Sequence, residues 1–175
     1  MTTTSDVREP DELYEQAIAV YGGALVRLAR GYEADADKRR DLLQDIHLAL
    51  WRSFAGFQSD CSLRTWVYRV AHNVGATWTI RQRRSRPQVL LSLEDAQPPP
   101  IASDADRQVA LARLMDLIRQ LKPLDRQVIL AYLDGMDAAE IAELTGLSGG
   151  NVATKLHRIR IVLTRSFQGA GHGRA

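Results

Sequence analysis

An all-α fold is the expectation, and three observations carry it. Ala, Leu, Arg and Glu/Asp dominate a composition that is 45% hydrophobic and 25% charged, which suits buried helical faces and argues against global disorder. Aromatic residues make up only 6%, and no long run alternates Val, Ile or Tyr with polar residues as a half-buried strand would. Apolar residues instead recur three and four positions apart along most of the chain. At 175 residues there is room for one medium domain or two small ones.

The first helix is expected in DELYEQAIAVYGGALVRLARGY, where Leu13, Ala17, Val20, Tyr21, Ala24, Leu25 and Leu28 share a face. A second runs from Asp35 to Phe54, with Leu42, Leu43, Ile46, Leu50 and Trp51 as its stripe. Gly56 and the polar cluster of AGFQSDCS then break the pattern. A third helix follows from about Ser62 to Arg84, with Val67, Val70, Val74 and Trp78 inward, and Pro87 prevents easy continuation. The stretch Arg84–Arg107 holds four of the six prolines, three of them consecutive at Pro98–Pro100, so it reads as a linker without helical periodicity.

Beyond it, RQVALARLMDLIRQL is amphipathic, with Val109, Leu111, Leu114, Leu117, Ile118 and Leu121 inward. Pro123 suits the first turn of the next helix and Gly135 its end. Asp137 then caps a short helix, with Glu140 three residues on in capping-box spacing.

DAAEIAELTGLSGGNVATKLHRIR obeys the steric rules of a helix-turn-helix. Ala142 is small where the helices cross, and Gly146 sits where the turn needs a positive φ. Ile141, Leu144, Leu147 and Val152 are apolar where the pair must bury itself, and Ser148 caps the second helix. Val152, Leu156, Ile159 and Leu163 face inward at 4-3-4 spacing, which turns Asn151, Thr154, Lys155 and Arg158 outward. Such a helix fits the major groove of duplex DNA, its N-terminal end at base edges and Lys155, Arg158 and Arg160 at phosphates. The plainer alternative is an αα-hairpin with a solvated basic face.

The charge is segregated. Met1–Asp60 holds 7 Lys/Arg against 11 Asp/Glu, Cys61–Leu93 holds 6 Arg and no acid, Glu94–Gly150 holds 5 bases against 10 acids, and Asn151–Ala175 holds 5 bases and no acid. Two basic blocks, each after an acidic one, suggest two surfaces for a polyanion. The first interleaves aromatics with arginines. Trp66 and Tyr68 offer stacking surfaces for unpaired bases, Arg81, Arg83, Arg84 and Arg86 can hold backbone, and the Asn73 amide offers a donor and an acceptor to a base edge. Trp78 lies on the inward stripe and reads as core.

Other chemistries find little support. Cys61 is the single cysteine, so no internal disulfide forms. No signal peptide or membrane-length apolar span is evident, which gives the expectation of a cytoplasmic protein with no membrane insertion. His47, His72, His157 and His172 lack metal-ligand spacing, and no nucleophile elbow or phosphate loop is present, so neither an enzyme, a metal nor a cofactor is expected.

Together these residues resemble a family. DLLQDIHLALWRSF and SLRTWVYRVAHN upstream, with LKPLDRQVILAYLDGMDAAEIAELTGLSGGNVATKLHRIR downstream, are similar to bacterial RNA polymerase sigma factors of the sigma-70 family, extracytoplasmic-function group. Coverage is roughly Glu12–Arg84 plus Gln108–Phe167. The resemblance implies two small helical domains joined by a flexible linker: a region 2 bundle over 11–84, a linker over 85–107, a region 4 helix-turn-helix over 108–167, and a disordered tail over 168–175.

It also implies roles. Asp41, Gln44, Asp45 and Leu48 would dock on the clamp coiled coil of the largest subunit of core RNA polymerase. Phe57, Gln58, Ser59 and Asp60, with Asn73, would form the pocket for a base flipped from the minus-10 element of promoter DNA, at a cost of a few kcal/mol of unstacking that the pocket must offset. Trp66 would lie near the upstream edge of the melted bubble, and Arg81, Arg83 and Arg84 would also contact minus-10 DNA. Ser148, Asn151, Thr154, Lys155, Arg158 and Arg160 would meet the minus-35 duplex, and an anti-sigma factor is an implied partner. This chain has Gln58-Ser59 where the family commonly has Arg-Gly. The competing expectation is an autonomous helix-turn-helix regulator, which would dimerise on palindromic DNA.

Overall fold

The computed structural model describes residues 9–85 and 104–169. Among these, seven α-helices and one short 3-10 turn are present and no strand. The helices are α1 (Pro10–Tyr32), α2 (Ala36–Ser53), α3 (Leu63–Ser85), α4 (Asp104–Gln120), α5 (Pro123–Leu133), α6 (Ala138–Thr145) and α7 (Gly149–Gly169).

The upstream half is a bundle of α1, α2 and α3. Pro10 opens α1 in its first turn, where its missing N–H costs nothing. Asp35 caps α2 by accepting the backbone N–H groups of Asp37 and Lys38, and these bonds hold its carboxyl below the usual pKa. Leu13, Ala17, Leu25 and Leu28 of α1 meet Leu42, Ile46 and Leu50 of α2 and Val67, Ala71 and Trp78 of α3 in one core. Gly75 is required there: a Cβ would lie 2.7 Å from the Tyr32 ring.

Several expected inward residues lie outside. Val20 is 63% exposed, at the edge of its helical face. Trp51 is 48% exposed because it projects half a turn away from Leu42, and its indole N–H donates to Asp11 at 2.8 Å. On α4, Val109 and Leu111 are exposed while Leu117 and Ile118 are buried, as is Leu121 just beyond its end. Leu111 lies almost two full turns before Ile118 on the same face, so α4 is covered along its later turns and not along its earlier ones. Tyr68, expected to offer a stacking surface, is buried beside Val67 in the bundle core, so its ring is not open to a base.

The downstream half packs α5, α6 and α7 together, with α4 against α1, α5 and α7. Arg126, fully buried, ties the last turn of α4 to α5: one guanidinium nitrogen donates to the Arg119 and Leu121 carbonyl oxygens. It also reaches the upstream half, donating to Thr79 Oγ1 at 3.1 Å and lying 5.3 Å from the Tyr32 ring centroid. Gly31 of α1 meets Leu130 of α5 so closely that a Cβ would sit 2.6 Å from it. The two helical halves are therefore packed face to face. Helix α4 begins at Asp104, inside the stretch read as linker, and α7 runs through Gly169, past the expected start of the tail. The rest of both stretches, 86–103 and 170–175, lies outside the described residues.

Candidate nucleic-acid interface

The helix-turn-helix is built by its caps. Asp137 accepts the Ala139 and Glu140 N–H groups at 2.9 Å, and Glu140 accepts the Asp137 N–H at 2.9 Å, completing the capping box. Gly146 takes φ 73°, the left-handed conformation that lets α6 stop and α7 turn away. Ser148 accepts the Asn151 N–H at 3.3 Å. Ile141, Leu144, Val152, Leu156, Ile159 and Leu163 are all buried, in line with the expected 4-3-4 face.

On the opposite face of α7, Asn151, Thr154 and Arg158 are exposed, with Ser148 beside them. Lys155 is half-buried and its ammonium donates to Asp125 at 2.6 Å. The Arg160 guanidinium lies 4.7 Å from the Tyr132 ring centroid. Two of the three cations expected at phosphates thus have local partners, while Arg158 projects outward.

The second region lies on α2 and α3. A groove of about 380 Å³ is walled by Asp45, Leu48, Arg52, Asn73, Trp78 and Arg81, among others. Asn73 is exposed at its mouth, and Leu48 is 44% exposed on the other wall. Arg81 approaches Asp45 across it at 3.8 Å. The structure therefore brings Asn73 and Arg81, expected at the opened strand, beside Asp45 and Leu48, expected at the polymerase; Asp41 and Gln44 are exposed further along α2. Of the Arg83 and Arg84 side chains nothing is described.

The loop after α2 is held at one end. Phe57 packs on Trp66 at 5.2 Å between ring centroids and edge-on against Phe54. The Trp66 indole N–H donates to Ser53 Oγ at 2.9 Å. Trp66 is thus half-buried as a support for the loop, with only part of its ring open for stacking. Gln58, Ser59 and Asp60 are exposed, and Ser59 is the one described non-glycine residue with positive φ, at 61°. None of these loop residues walls the groove that holds Asn73.

Sequence reasoning did not foresee the partners of several residues on α3 itself. His72 is fully buried, shares a hydrogen bond of 2.9 Å with the Tyr32 hydroxyl, and has its pKa pushed down to about 3 by burial. Tyr68 is pushed up to about 12, first by burial and then by Asp134. Arg64, Thr65 and Arg69 reach across to α6. Such contacts, more than seventy residues apart in sequence, leave no local periodic signal.

Two sequence profiles match, in the order the motifs suggest: Sigma-70 region 2 over residues 17–85, and Sigma-70, region 4 over residues 111–163. The RNA polymerase sigma factor CnrH of Cupriavidus metallidurans is 31% identical over 166 residues, covering 86% of this chain and 84% of that one. This chain belongs to the sigma-70 family of RNA polymerase sigma factors, extracytoplasmic-function group. The ECF RNA polymerase sigma factor SigM of Mycobacterium tuberculosis is 26% identical, over 87% of this chain and 76% of that one. In three dimensions, the structure of CnrH in complex with the cytosolic domain of CnrY superposes with a TM-score of 0.63 at 26% identity, over 86% of this chain and 84% of that one. No helix among the described residues is long and apolar enough to cross a membrane.

Proposed function

We infer that this sigma factor binds core RNA polymerase, directs it to a set of promoters as an alternative to other sigma factors, and itself catalyses no reaction. The observation that carries the reading is the pairing of a region 2 bundle with a region 4 helix-turn-helix, each with its reading side chains outward: Asn73 on α3, and Asn151, Thr154 and Arg158 on α7. One module meets duplex DNA in the major groove, while the other takes the opened strand.

In this reading 11–84 and 108–167 are the two functional units. Asn73 hydrogen-bonds a flipped minus-10 base, with Phe57 and Trp66 fixing the loop of Gln58, Ser59 and Asp60 beside it. Arg81, Arg83 and Arg84 hold the strand's backbone. Arg158 makes the principal phosphate contact at the minus-35 duplex, Lys155 and Arg160 give up local partners to join it, and Ser148, Asn151 and Thr154 face the bases. Asp41, Gln44, Asp45 and Leu48 form the polymerase-docking wall, a strip along α2 in which Asp41, Gln44 and Leu48 are exposed and Asp45 is half-buried. An inhibitory protein that covers these surfaces fits the family, and the solved relative CnrH was captured with a protein partner.

The test is transcription with purified core polymerase on genomic fragments. Discrete promoter-directed transcripts that depend on this chain are expected. Failure to co-purify with polymerase, together with a stable dimer that footprints palindromic DNA alone, would replace this reading with the autonomous regulator.

A further inference from the structure

The outward face of α7 is uneven. At about 100° per residue, Gly150, Thr154 and Ile161 run along its centre line, opposite the buried row Val152, Leu156, Ile159 and Leu163. Asn151 and Arg158 stand on one side of that line and Ala153 and His157 on the other, all of them exposed. The start of the helix carries no side-chain reach: Gly149 and Gly150 are bare, a Cβ at either would meet nothing within 4 Å, and Ala153 adds only a methyl. The Thr154 hydroxyl donates to the Gly150 carbonyl oxygen at 2.9 Å, so its donor is taken up within the helix and its methyl remains for an outside contact. His157 differs from these neighbours. Its imidazole has no hydrogen-bond or ion-pair partner among the described residues, and one turn before it stands only Ala153.

These features shift base reading along the helix. A recognition helix usually meets base edges with its N-terminal residues. Here those positions are short, which lets the backbone come close to the groove floor, as glycine does where a chain must approach a ligand. The major groove is about 12 Å wide and about 8.5 Å deep. Gly149 and His157 are roughly 12 Å apart along the axis at ~1.5 Å per residue. A close approach therefore keeps the imidazole inside the groove, where a helix held off by long side chains would carry it past the rim. Reach also separates His157 from Arg158. The arginine is long enough to leave the groove for a phosphate, whereas a short, planar imidazole touches only what the helix faces. An imidazole keeps at least one N–H donor, and guanine offers N7 and O6 as acceptors in the major groove.

We propose that His157 is a sequence-reading residue of this factor: its imidazole N–H donates to a guanine of the minus-35 duplex, and the bare Gly149–Gly150 start of α7 is what lets it reach the base. This rests on the promoter-reading function above. Thr154 packs its methyl on a neighbouring base, for which a thymine methyl is the matching surface, while Arg158 fixes the register from the backbone.

The test uses core polymerase carrying the full chain and a pool of promoters randomised across the upstream duplex element, with bound DNA sequenced at two salt concentrations. Wild type is expected to prefer guanine at one position at least. His157→Ala should weaken that preference several-fold with the salt slope of wild type, since no phosphate contact is removed. His157→Asn should move the preference to adenine, whose N7 and N6 match a side-chain amide. Gly150→Leu should bind the selected sequences several-fold more weakly at an undiminished Tm of the free chain, because the fold leaves open space there and the groove does not. A His157→Ala pool that keeps every wild-type preference overturns the proposal. So does one that loses a preference for another base, or that binds all sequences more weakly with a shallower salt slope, as loss of a phosphate contact would give. Gly150→Leu binding like wild type overturns the close approach. A wild-type complex that selects no upstream sequence at all instead overturns the promoter reading on which this one rests.

Discussion

The two cation-bearing helices are restrained in different ways. On α7 the restraints are local: Lys155 pairs with Asp125 and Arg160 stacks on Tyr132, both on α5 of the same half, and Arg158 stays outward. At the start of α3 they are remote: Arg64 and Arg69 are held by α6 of the other half, whereas Arg81 near its end has a local partner in Asp45 of α2. Local partners tune a surface and leave it in place, whereas remote partners make its accessibility depend on how the halves are arranged. The cores differ in the same sense. The buried residues described on α7, Val152, Leu156, Ile159 and Leu163, are all apolar, while α3 buries Thr65 and His72 along with Val67 and Ala71.

That difference can be broken first through pH. His72 is neutral in the fold with a pKa of about 3 and would titrate near 6.5 once unfolded. A depressed histidine pKa means that the unfolded chain binds the extra proton. Stability is therefore intact above about pH 6.5 and is lost as pH falls toward 3, at up to about 1.4 kcal/mol per pH unit. His72→Phe should flatten this slope in urea midpoints measured between pH 7 and 4.

Glycines sharpen the comparison next. Gly75→Ala drives a Cβ into the Tyr32 ring within one half, and should cost about 1–3 kcal/mol in chemical denaturation. Gly31→Ala drives the same atom into Leu130 across the seam. Its strain can be relieved by separation, so the scattering radius should grow with a smaller loss of stability.

The smallest effects are expected on α7. Arg158→Ala should reduce the salt slope of duplex binding by polymerase carrying this factor by about 0.9, the value of one phosphate contact. Lys155→Ala should change it less, because the ammonium must leave Asp125 to reach DNA. Titrations from low to moderate salt distinguish the two.

How much was legible follows from the same contrast. The capping box at Asp137, the left-handed Gly146 and the inward row Val152, Leu156, Ile159 and Leu163 are local or periodic features, and each is found where the sequence placed it. Val20, Trp51, Val109 and Leu111 were misread because apolar spacing marks a face without fixing how wide an arc, or how much of the helix length, the neighbours cover. The groove that joins Asn73 to Leu48 and Arg81 depends on how α2 lies along α3, which no single helix encodes. The grip of α6 on Arg64 and Arg69, and the burial of Arg126, were invisible for the same reason: an arginine tied to a distant segment looks in sequence like a solvated one. The proline-rich stretch gave no hint that the halves it connects would meet.

The most direct test separates the two reading roles on two templates. Core polymerase carrying wild type, Asn73→Ala or Arg158→Ala is assayed on a fully duplex promoter and on the same promoter with its start region already unpaired. Strand opening is read by permanganate reactivity of thymines and upstream engagement by footprinting. On the duplex promoter, Asn73→Ala should keep the upstream footprint and lose opening, whereas Arg158→Ala should lose the upstream footprint yet recover transcription on the pre-opened template. If the two variants behave alike on both templates, α3 and α7 do not divide duplex reading from strand capture, and the account is contradicted.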